Sequence, residues 1–246
     1  MKGVILAGGL ATRLRPLTLV TNKHLLPIYN KPMIYYPLSA MAKAGIKEVL
    51  LTTSKDHAGH FANLLQSGDD FGLRLYYAVQ TNPKGGIADA IYLAREFAKG
   101  EKIAVILGDN IFSYNLRKVA KEFENKRRGA VVFGVPMETG SKQYGVIELD
   151  KEQRVVSIEE KPDFPKSNIA QAGIYMYDER VFDFIETQRP SARGELEVTD
   201  LNGCYVKENT MECRLLDWWI DAGTSYDELL RANTLVAQKV REGEFT

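Results

Sequence analysis

The sequence predicts an α/β protein built on a doubly wound, mostly parallel sheet, because short apolar runs alternate with helical patterns through its first half. The runs have the length and composition of buried parallel strands, and they lie at residues 4–7, 49–52, 75–79 and 103–107. Segments with helical periodicity separate them, at residues 32–44, 57–65 and 87–97. Such β-α-β alternation predicts right-handed crossovers and a Rossmann-like sheet with helices on both faces.

The second half is richer in predicted strands and short polar turns. Its strands are predicted at residues 130–135, 145–149, 155–158 and 173–177, and a last helix is predicted over residues 225–241. A small β-rich extension of this kind would cover one end of a ligand cleft. Because no repeat, low-complexity tract or linker-like segment interrupts the chain, we expect a single domain over residues 1–246.

Composition and charge exclude several classes of partner. Lys+Arg and Asp+Glu both total 32, so no overall field favours nucleic acid or an acidic membrane. The apolar run after the N-terminal methionine is too short for a signal peptide, and no stretch approaches a membrane span. Cys204 and Cys213 have neither CxxC spacing nor the density of a disulfide scaffold. We therefore expect a cytoplasmic protein with reduced thiols, no nucleic-acid partner and no membrane partner.

A double glycine follows the first predicted strand. At Gly8 and Gly9, backbone N–H groups can approach an anion without interference from a Cβ atom. The spacing is neither that of a Walker A loop nor that of a G-x-G-x-x-G fingerprint, and a plain tight turn explains a lone double glycine equally well. However, Arg13, Arg15 and Lys23 follow soon after it. In a chain with no net charge, this local cluster of cations favours a polyphosphate site.

Two aspartates are candidate metal ligands. Asp109 follows the predicted strand at residues 103–107, at the end of the sheet that faces the ligand crevice in α/β folds. Asp221 lies in an apolar segment, two residues before Gly223. Mg²⁺ is normally held by one or two carboxylates together with substrate phosphates. The alternative is structural, with Asp109 starting a turn and Asp221 capping the last predicted helix.

Several motifs occur in a fixed order along nearly the whole chain. They are GGLATRLRPLT at residues 8–18, NKHLLP at 22–27, VQ at 79–80, GGIADA at 85–90, LGDNIF at 107–112, QYGVIEL at 143–149, EEKP at 159–162, PSARGELEVTDLN at 190–202 and WWIDAGT at 218–224. This pattern resembles the sugar-1-phosphate nucleotidyltransferases. Within that family it is most similar to the short thymidylyltransferases, which lack the C-terminal extension of longer relatives.

The resemblance implies an activity and its substrates. Such an enzyme transfers a thymidylyl group from dTTP to glucose 1-phosphate, giving dTDP-glucose and pyrophosphate, by Mg²⁺-assisted in-line displacement at the α-phosphorus. Residues 1–130 would form mainly the nucleotide-binding half, and residues 131–246 mainly the sugar-phosphate-binding half with the C-terminal helix. A homo-oligomer, either a tetramer or a dimer, and a role in supplying dTDP-rhamnose are also implied. The same chemistry with UTP, GTP, CTP or another sugar 1-phosphate stays open, as does a non-catalytic nucleotide sensor.

The resemblance also assigns candidate roles to individual residues. Arg13 and Lys23 would bind the triphosphate and the charge that develops at the α-phosphorus, while Mg²⁺ would bridge Asp109, Asp221 and the phosphates. The residues expected to bind the nucleotide are Leu6, Gly8, Gly9, Thr12, Arg13, Lys23, Gln80, Gly85, Gly86 and Asp109. Those expected to bind the sugar phosphate are Asn110, Gly145, Glu160, Lys161, Ala172 and Arg193, of which Lys161 and Arg193 complete the catalytic set.

Two positions depart from the family's pattern. Ala11 stands where the family has a glycine, so a positive φ at this position would strain the loop. Asp89 stands where the family's G-x-A-Q-A string has a glutamine, and an acid is unexpected beside a nucleotide. No general base is expected, because a sugar phosphate with a second pKa of about 6 is already largely dianionic at pH 7.

Overall fold

Strands and helices alternate along the computed structural model, which describes residues 1–138 and 143–245. The strands are β1 (Lys2–Ala7), β2 (Pro27–Ile28), β3 (Lys31–Pro32), β4 (Glu48–Ser54), β5 (Arg74–Gln80), β6 (Ile103–Leu107), β7 (Asn110–Phe112), β8 (Ala130–Pro136), β9 (Gly145–Leu149), β10 (Val155–Glu160), β11 (Ile169–Tyr177), β12 (Met211–Leu215) and β13 (Trp219–Asp221). The α-helices are α1 (Tyr35–Ala44), α2 (Ala58–Leu65), α3 (Gly86–Tyr92), α4 (Arg95–Ala98), α5 (Arg117–Asn125), α6 (Val181–Thr187), α7 (Val198–Lys207) and α8 (Tyr226–Arg241).

A central sheet carries strands from both halves of the chain. Its main path runs β10-β9-β11-β6-β1-β4-β5, and β8 joins it by pairing with β11 and β12. In the first half the pairing is parallel, between β1 and both β4 and β6 and between β4 and β5. The second half adds antiparallel strands, since β11 pairs antiparallel with β6, β8 and β9. The predicted α/β fold, a Rossmann-like sheet with a β-rich extension, is confirmed.

The helices cover both faces of this sheet, because the apolar side chains of β1 point alternately to one face and to the other and are buried on both. Successive residues of a strand point to opposite faces, so Val4 and Ile5 belong to different core clusters. Ile5 packs in the cluster that includes residues of α1, α2 and α5. Val4 packs in the cluster that includes residues of α3, α4, α6 and α7. No helix within residues 1–138 and 143–245 combines the length and the apolar character that a membrane crossing requires.

The strand order reverses at β1, which lies between β4 and β6. In doubly wound sheets a ligand crevice opens at the carboxyl ends of the strands at such a point. Here the Gly108 amide, just beyond β6, donates to the Leu6 carbonyl of β1 at 2.8 Å, which holds the two strand ends together. The segments that follow β1 and β6 therefore face each other across the crevice.

Two predicted helices differ from the observed ones. The segment predicted as a helix from residue 32 begins instead with β3, which pairs with β2, so that α1 starts at Tyr35. The helix predicted over residues 87–97 is divided into α3 and α4, and at the break the Ala94 amide donates to the Ile91 carbonyl three residues earlier. The break between α3 and α4 arises in a segment of good helix-forming residues, where propensity alone gives no signal of it. The sequence alone also does not predict α6, α7, β7, β12 or β13.

Candidate active site

The glycine-rich loop follows β1 and adopts a left-handed conformation at two positions. Gly9 has φ 90°. Ala11 has φ 47° and ψ 37°, which is the αL region. A residue with a Cβ atom costs about 1–2 kcal/mol there, so the strain predicted for Ala11 is present. The loop continues into a 3₁₀ turn, Thr12–Leu14, which places Arg13 at the mouth of the crevice.

Lys23 and Asp109 form an ion pair at the carboxyl ends of β1 and β6. The Lys23 ammonium donates to Asp109 Oδ2, and the Asp109 side chain is 7% exposed. Burial alone would raise the pKa of Asp109, but the Lys23 charge and the hydrogen bonds from Lys23 and Asn110 outweigh it and hold that pKa well below its usual value. Burial and the Lys23 charge lower the pKa of His24 to about 3, so this histidine stays neutral. The site therefore carries a permanently charged pair and no titrating histidine at neutral pH.

Asp221 reaches the same place through the short β7–β13 ladder. It lies opposite Asn110, and the Ala222 amide donates to the Asp109 carbonyl at 3.0 Å. Burial and the nearby Asp109 charge raise the pKa of Asp221 to about 7. Within the described residues, the buried Asp221 Oδ1 has no hydrogen-bond partner. Two carboxylates thus converge, one of them with an oxygen that no protein donor satisfies.

Gly223 closes this group from the other side. A Cβ atom built on Gly223 would lie 2.2 Å from Asp109 Oδ2 and 2.8 Å from Lys23 Nζ. Both distances are shorter than any normal contact, so a side chain here would displace the ion pair. The φ of Gly223 is not in the left-handed region, so the backbone conformation does not require a glycine here. Glycine is required because there is no space for a Cβ atom.

Gln80 and α3 form one wall of the crevice. Gln80 ends β5 and is 8% exposed, and its Nε2 donates to Asp89 Oδ2 at 2.9 Å. Gly86 has φ 86°, and a Cβ atom there would lie 2.6 Å from the Leu196 carbonyl oxygen. The Leu196 amide in turn donates to the Gly85 carbonyl at 2.9 Å. The glycines therefore allow the N-terminus of α3 to pack directly against the segment before α7.

These elements enclose a cavity of about 410 Å³. Every predicted nucleotide-binding residue except Gly85 lines it, and Asp221 does too. Gly85 is buried behind the wall, where a Cβ atom would lie 2.2 Å from Asp89 Oδ2. Asp89 is not among the described residues that line the cavity. The unexpected acid therefore faces Gln80 and not the ligand space.

A second cavity, of about 140 Å³, adjoins the first on the side of the β-rich extension. The two cavities share five lining residues, which are Arg13, Ile87, Leu107, Asp221 and Thr224. Four of the predicted sugar-phosphate residues line the second cavity, namely Asn110, Gly145, Glu160 and Lys161. The arrangement is a single crevice with a larger and a smaller compartment, and Arg13 and Asp221 lie at their junction.

Ala172 does not face the second cavity, although it was predicted to bind the sugar phosphate through this region. Its side chain is fully buried in the core cluster that contains α1 and α5. Adjacent residues of a strand point to opposite faces, and Gln171, Gly173 and Tyr175 are the residues of β11 that line the cavity. The contribution of the Ala172 side chain is therefore structural.

Arg193 lies beside Glu160 and is held by carboxylates. Its Nη2 and Nε donate to the two carboxylate oxygens of Glu197 at 2.8 and 3.1 Å, and Nη2 also lies 3.3 Å from Glu160 Oε1. Lys161 Nζ lies 3.3 Å from the same Glu160 oxygen. Arg193 is not among the described residues that line either cavity. The two cations predicted for the sugar phosphate are thus gathered around Glu160, with Arg193 set back from the cavity.

The chain was compared with protein families and with known proteins. Residues 2–239 match the family model of the nucleotidyl transferases. The chain belongs to the nucleotidyl transferase family. A glucose-1-phosphate thymidylyltransferase of Neisseria gonorrhoeae is 44% identical over 228 residues, which cover 91% of this chain and 78% of that relative. One from Actinoplanes sp. is 44% identical over 230 residues, covering 92% of this chain and 75% of the relative.

Two solved structures resemble the chain in fold. A Bacillus anthracis crystal structure, described as a glucose-1-phosphate thymidylyltransferase in complex with sucrose, has a TM-score of 0.90 and 43% identity, and the match covers 96% of this chain and 94% of that one. A UDP-glucose pyrophosphorylase complexed with UDP-glucose has a TM-score of 0.81 at 23% identity, with 97% and 98% of the chains covered, and it supports the fold alone.

The acidic pair of this nucleotidyl transferase fits a divalent cation that substrate phosphates help to bind. Within the described residues, no group of three or more His, Cys, Asp or Glu side chains is arranged to hold a metal ion alone. Asp109 and Asp221 supply two carboxylates, and Asp221 Oδ1 is buried with no partner among those residues. Hard cations such as Mg²⁺ accept this combination of one or two carboxylates with phosphate oxygens.

Sequence reasoning did not predict two residues of the nucleotidyl transferase site, Glu197 and Gln171. It predicted a different role for a third, Asn110. Asn110 is fully buried, donates to Asp109 Oδ1 at 3.1 Å and accepts from Trp219 Nε1 and the Gly173 amide, so it orients a carboxylate and has little left for a sugar. Glu197 and Gln171 gave no signal of their own. Glu197 is one of several acids in its motif. Gln171 can be assigned to the cavity only when the register of β11 is known.

Proposed function

We propose that this chain transfers a thymidylyl group from dTTP to glucose 1-phosphate, forming dTDP-glucose and releasing pyrophosphate. The observation that carries the proposal is the two-compartment crevice, with Arg13 and Asp221 at the junction of its parts. The larger compartment has the glycine-rich loop and Gln80 for a nucleotide. The smaller one has Glu160 and Lys161 for a phosphorylated sugar. The names of the relatives at 40–44% identity support this choice of substrates.

The reaction requires an oxygen of the sugar phosphate to attack the α-phosphorus in line with the departing pyrophosphate. The nucleophile is already largely dianionic at pH 7, since its second pKa is about 6. The only histidine lining the described crevice, His24, is neutral, with a pKa of about 3. Proton removal by a general base is therefore unnecessary, and the protein's task is to position the two substrates.

Electrostatic repulsion between the substrates is the main barrier. Two unit charges 4 Å apart repel each other by roughly 4 kcal/mol at an effective dielectric constant near 20. Arg13 borders both compartments, and Lys23 is fixed beside the junction by Asp109. An ammonium group has three N–H donors, so Lys23 can bind a phosphate oxygen while it stays paired with Asp109. Fixed cations of this kind stabilise the charge that develops at the α-phosphorus.

Asp109 and Asp221 would hold Mg²⁺ together with the triphosphate. When bound, the ion would neutralise phosphate charge and orient the phosphates for displacement. Asn110 keeps Asp109 Oδ1 in place by donating to it at 3.1 Å. The space that Gly223 leaves open beside Asp109 Oδ2 lets the carboxylate and Lys23 meet there.

The sugar end combines cations with a hydroxyl acceptor. Glu160 lies between Lys161 and Arg193 and also accepts from Thr199 Oγ1 at 2.7 Å, so its orientation is fixed. In that position its carboxylate can accept hydrogen bonds from sugar hydroxyl groups. Lys161 would bind the sugar's phosphate, and Arg193 would support that charge from behind Glu160.

A nucleotide panel tests the proposal. The purified protein is incubated with glucose 1-phosphate, Mg²⁺ and one of dTTP, UTP, GTP or CTP, and pyrophosphate release is measured while mass spectrometry identifies the sugar nucleotide. We expect dTTP to be the best substrate and UTP to be used measurably, because one methyl group is worth only about 10- to 200-fold in an apolar pocket. No release with any triphosphate, or a preference for GTP or CTP, would overturn the proposal.

The resemblance further supports a cytoplasmic homo-oligomer, a dimer or a tetramer, that supplies dTDP-glucose for dTDP-rhamnose formation. Light scattering on the eluting peak of a size-exclusion column measures the mass directly. A mass equal to that of the 27.6 kDa chain would contradict the oligomer.

A further inference from the structure

Two histidines, His57 and His60, converge at the start of α2. His57 is the residue before the first turn of the helix, and its side chain forms no capping hydrogen bond there. Residues three apart lie on one face of a helix, and the Nδ1 atoms of the two rings are 3.4 Å apart. The ring centroids lie 5.4 Å apart with an angle of 38° between the planes. The two imidazoles therefore approach each other through their Nδ1 atoms.

The separation of the two Nδ1 atoms is long for a hydrogen bond. An N–H donor normally lies about 2.7–3.2 Å from its acceptor. A neutral imidazole carries its proton on one ring nitrogen and has a lone pair on the other. When both rings carry the proton on Nε2, two Nδ1 lone pairs face each other across this gap. A cation between them would stabilise that arrangement.

The same separation fits two ligands of a tetrahedral metal ion. Zn²⁺ binds imidazole nitrogen at about 2.0–2.1 Å, so two nitrogens at the tetrahedral angle lie about 3.3–3.4 Å apart. The right angles of a square-planar or octahedral ion would bring them to about 2.9 Å. Imidazole is also a ligand that Zn²⁺ accepts readily, whereas Mg²⁺ prefers oxygen. Distance and donor type both favour Zn²⁺.

The pair is open to solvent. His60 is exposed and His57 is half-buried. The residues between them, Ala58 and Gly59, are small, and no described atom lies within 4 Å of the Cβ position of Gly59. Over residues 1–138 and 143–245, no third His, Cys, Asp or Glu side chain joins the two histidines. An ion bound here would therefore enter from solvent and keep water as its remaining ligands.

This place is separate from the acidic pair of the crevice. Neither histidine is among the described residues that line the two cavities. The histidines follow β4, whose last residue, Ser54, is the register partner of Gln80. They thus lie at the sheet edge where the crevice opens, but outside it. An ion at the histidines and Mg²⁺ at the carboxylates would not compete for the same ligands.

We propose that His57 and His60 form a metal site that binds one Zn²⁺ ion through their two Nδ1 atoms, with water completing a tetrahedral coordination. The site goes beyond the proposed nucleotidyl transfer and supplies no group to it. Its ligand class is a borderline divalent transition ion, for which Zn²⁺ is the probe and Co²⁺ the spectroscopic substitute.

Calorimetric titration with Zn²⁺ tests the site. The wild type, His57→Gln and His60→Gln are treated with EDTA, dialysed and titrated in excess Mg²⁺, which occupies the acidic pair. Lys55→Gln, an exposed change in the turn before the helix, is the matched control. We expect one Zn²⁺ per wild-type chain and an affinity at least tenfold lower in each histidine variant, because losing even a group that only supports a ligand costs about 10- to 100-fold. The control should bind as the wild type does.

Nitrogen-15 spectra of the histidine rings identify the ligating atoms in the wild type itself. Zn²⁺ should shift Nδ1 of His57 and His60, and Co²⁺ in its place should give the intense visible absorption of a tetrahedral ion. Absence of Zn²⁺ binding, equal affinity in the wild type and both folded variants, or ligation through Nε2 would overturn the site. No turnover is measured, so failure of the proposed function would leave these results unaffected.

Discussion

Asp221 lies opposite Asn110 in the two-stranded sheet of β13 and β7, and this register sets its carboxylate beside Asp109. Asn110 is also the residue whose amide donates to Asp109 Oδ1. A single short ladder therefore joins two acids that are more than a hundred residues apart in sequence, and it fixes the orientation of one of them. The behaviour of each acid depends on the other, which makes the pair open to test.

The pKa of Asp221 predicts how stability depends on pH. Burial and the Asp109 charge raise this pKa to about 7, from about 3.9 in an unfolded chain. The protonated form therefore favours folding, and this contribution, fully present below pH 4, is lost as pH rises through 7. In EDTA, Asp221→Asn should become more stable than the wild type by more than about 1 kcal/mol at pH 8, since one pKa unit corresponds to about 1.4 kcal/mol.

Urea unfolding at several pH values between 4 and 8 measures this difference. Adding Mg²⁺ with dTTP should stabilise the wild type and not the variant, which should also lose nearly all turnover. A difference in stability between wild type and variant that stays constant across the pH range would show that folding does not raise the pKa of Asp221.

Gly223→Ala should slow turnover by about a hundredfold while the protein stays folded. The added Cβ atom would lie 2.2 Å from Asp109 Oδ2 and 2.8 Å from Lys23 Nζ, so the ion pair must move. A misplacement of about 1 Å in a site that acts by positioning costs on the order of a hundredfold in rate. Steady-state pyrophosphate release and circular dichroism measure the two effects separately.

Gly203→Ala is the matched control for this substitution. Gly203 lies within α7, and no described atom lies within 4 Å of its Cβ position. Alanine in a helix interior is more stable than glycine by about 0.5–1 kcal/mol. The control should therefore keep full activity with equal or higher stability, and equal rates for the two variants would mean that Gly223 is not required by space.

Sequence patterns predicted the parallel strands well, because β1, β4 and β6 are continuous apolar runs buried on both faces. The edge strand β5 is partly exposed, but its residues are mostly apolar or aromatic as well. They did not predict where helices break. The division between α3 and α4 occurs within residues that favour helix, and it is produced by packing, since Ala94 is fully buried at the break. Lys23, Asp109 and Asp221 line one crevice. Asp109 follows a parallel strand, as its position in the sequence predicted, but Asp221 reaches the crevice from the separate β7–β13 sheet, so only the family resemblance predicted that the two aspartates meet.

The sugar end was harder to predict, because it depends on strand register and on ion pairing. Ala172 and Gln171 are neighbours, and only the register of β11 decides which of them lines the cavity. Arg193 was predicted to bind the sugar's phosphate, and the structure pairs it with Glu197 and Glu160. Contacts between such distant side chains leave no periodic signal in the sequence.

Removing either of the two lysines proposed to act in catalysis, Lys23 and Lys161, should slow turnover by orders of magnitude. Lys23→Ala removes the fixed cation at the junction and leaves Asp109 without its ion-pair partner, so this variant should also be less stable in EDTA. Lys161→Ala should leave stability unchanged, because the Lys161 side chain is 40% exposed. Rapid-quench measurement of the first turnover separates chemistry from product release. A near-wild-type rate for either variant would remove that lysine from the mechanism.

Ala11→Gly should stabilise the protein. Ala11 has φ 47°, and relieving the αL strain of a residue with a Cβ atom should raise the free energy of unfolding by about 1 kcal/mol, with activity retained. Ala62→Gly, on the exposed face of α2, makes the same change in helical backbone and should instead destabilise by about 0.5–1 kcal/mol. Parallel urea titrations of both variants test the difference in sign, and destabilisation by both would contradict strain at Ala11.

Glu197→Gln should weaken binding of glucose 1-phosphate without affecting dTTP. Glu197 is 8% exposed, accepts from Arg193 through both carboxylate oxygens and is itself fixed by Ser191 Oγ at 2.7 Å. An amide cannot accept two charge-assisted bonds, so Arg193 should lose its fixed position behind Glu160. We expect KM for glucose 1-phosphate to rise about tenfold, the effect of losing one hydrogen bond to a charged group, while KM for dTTP stays within twofold. Glu152→Gln, at an exposed turn, is the control. A parallel rise in both KM values would indicate a general loss of structure, and an unchanged KM for the sugar phosphate would show that Arg193 acts independently of Glu197.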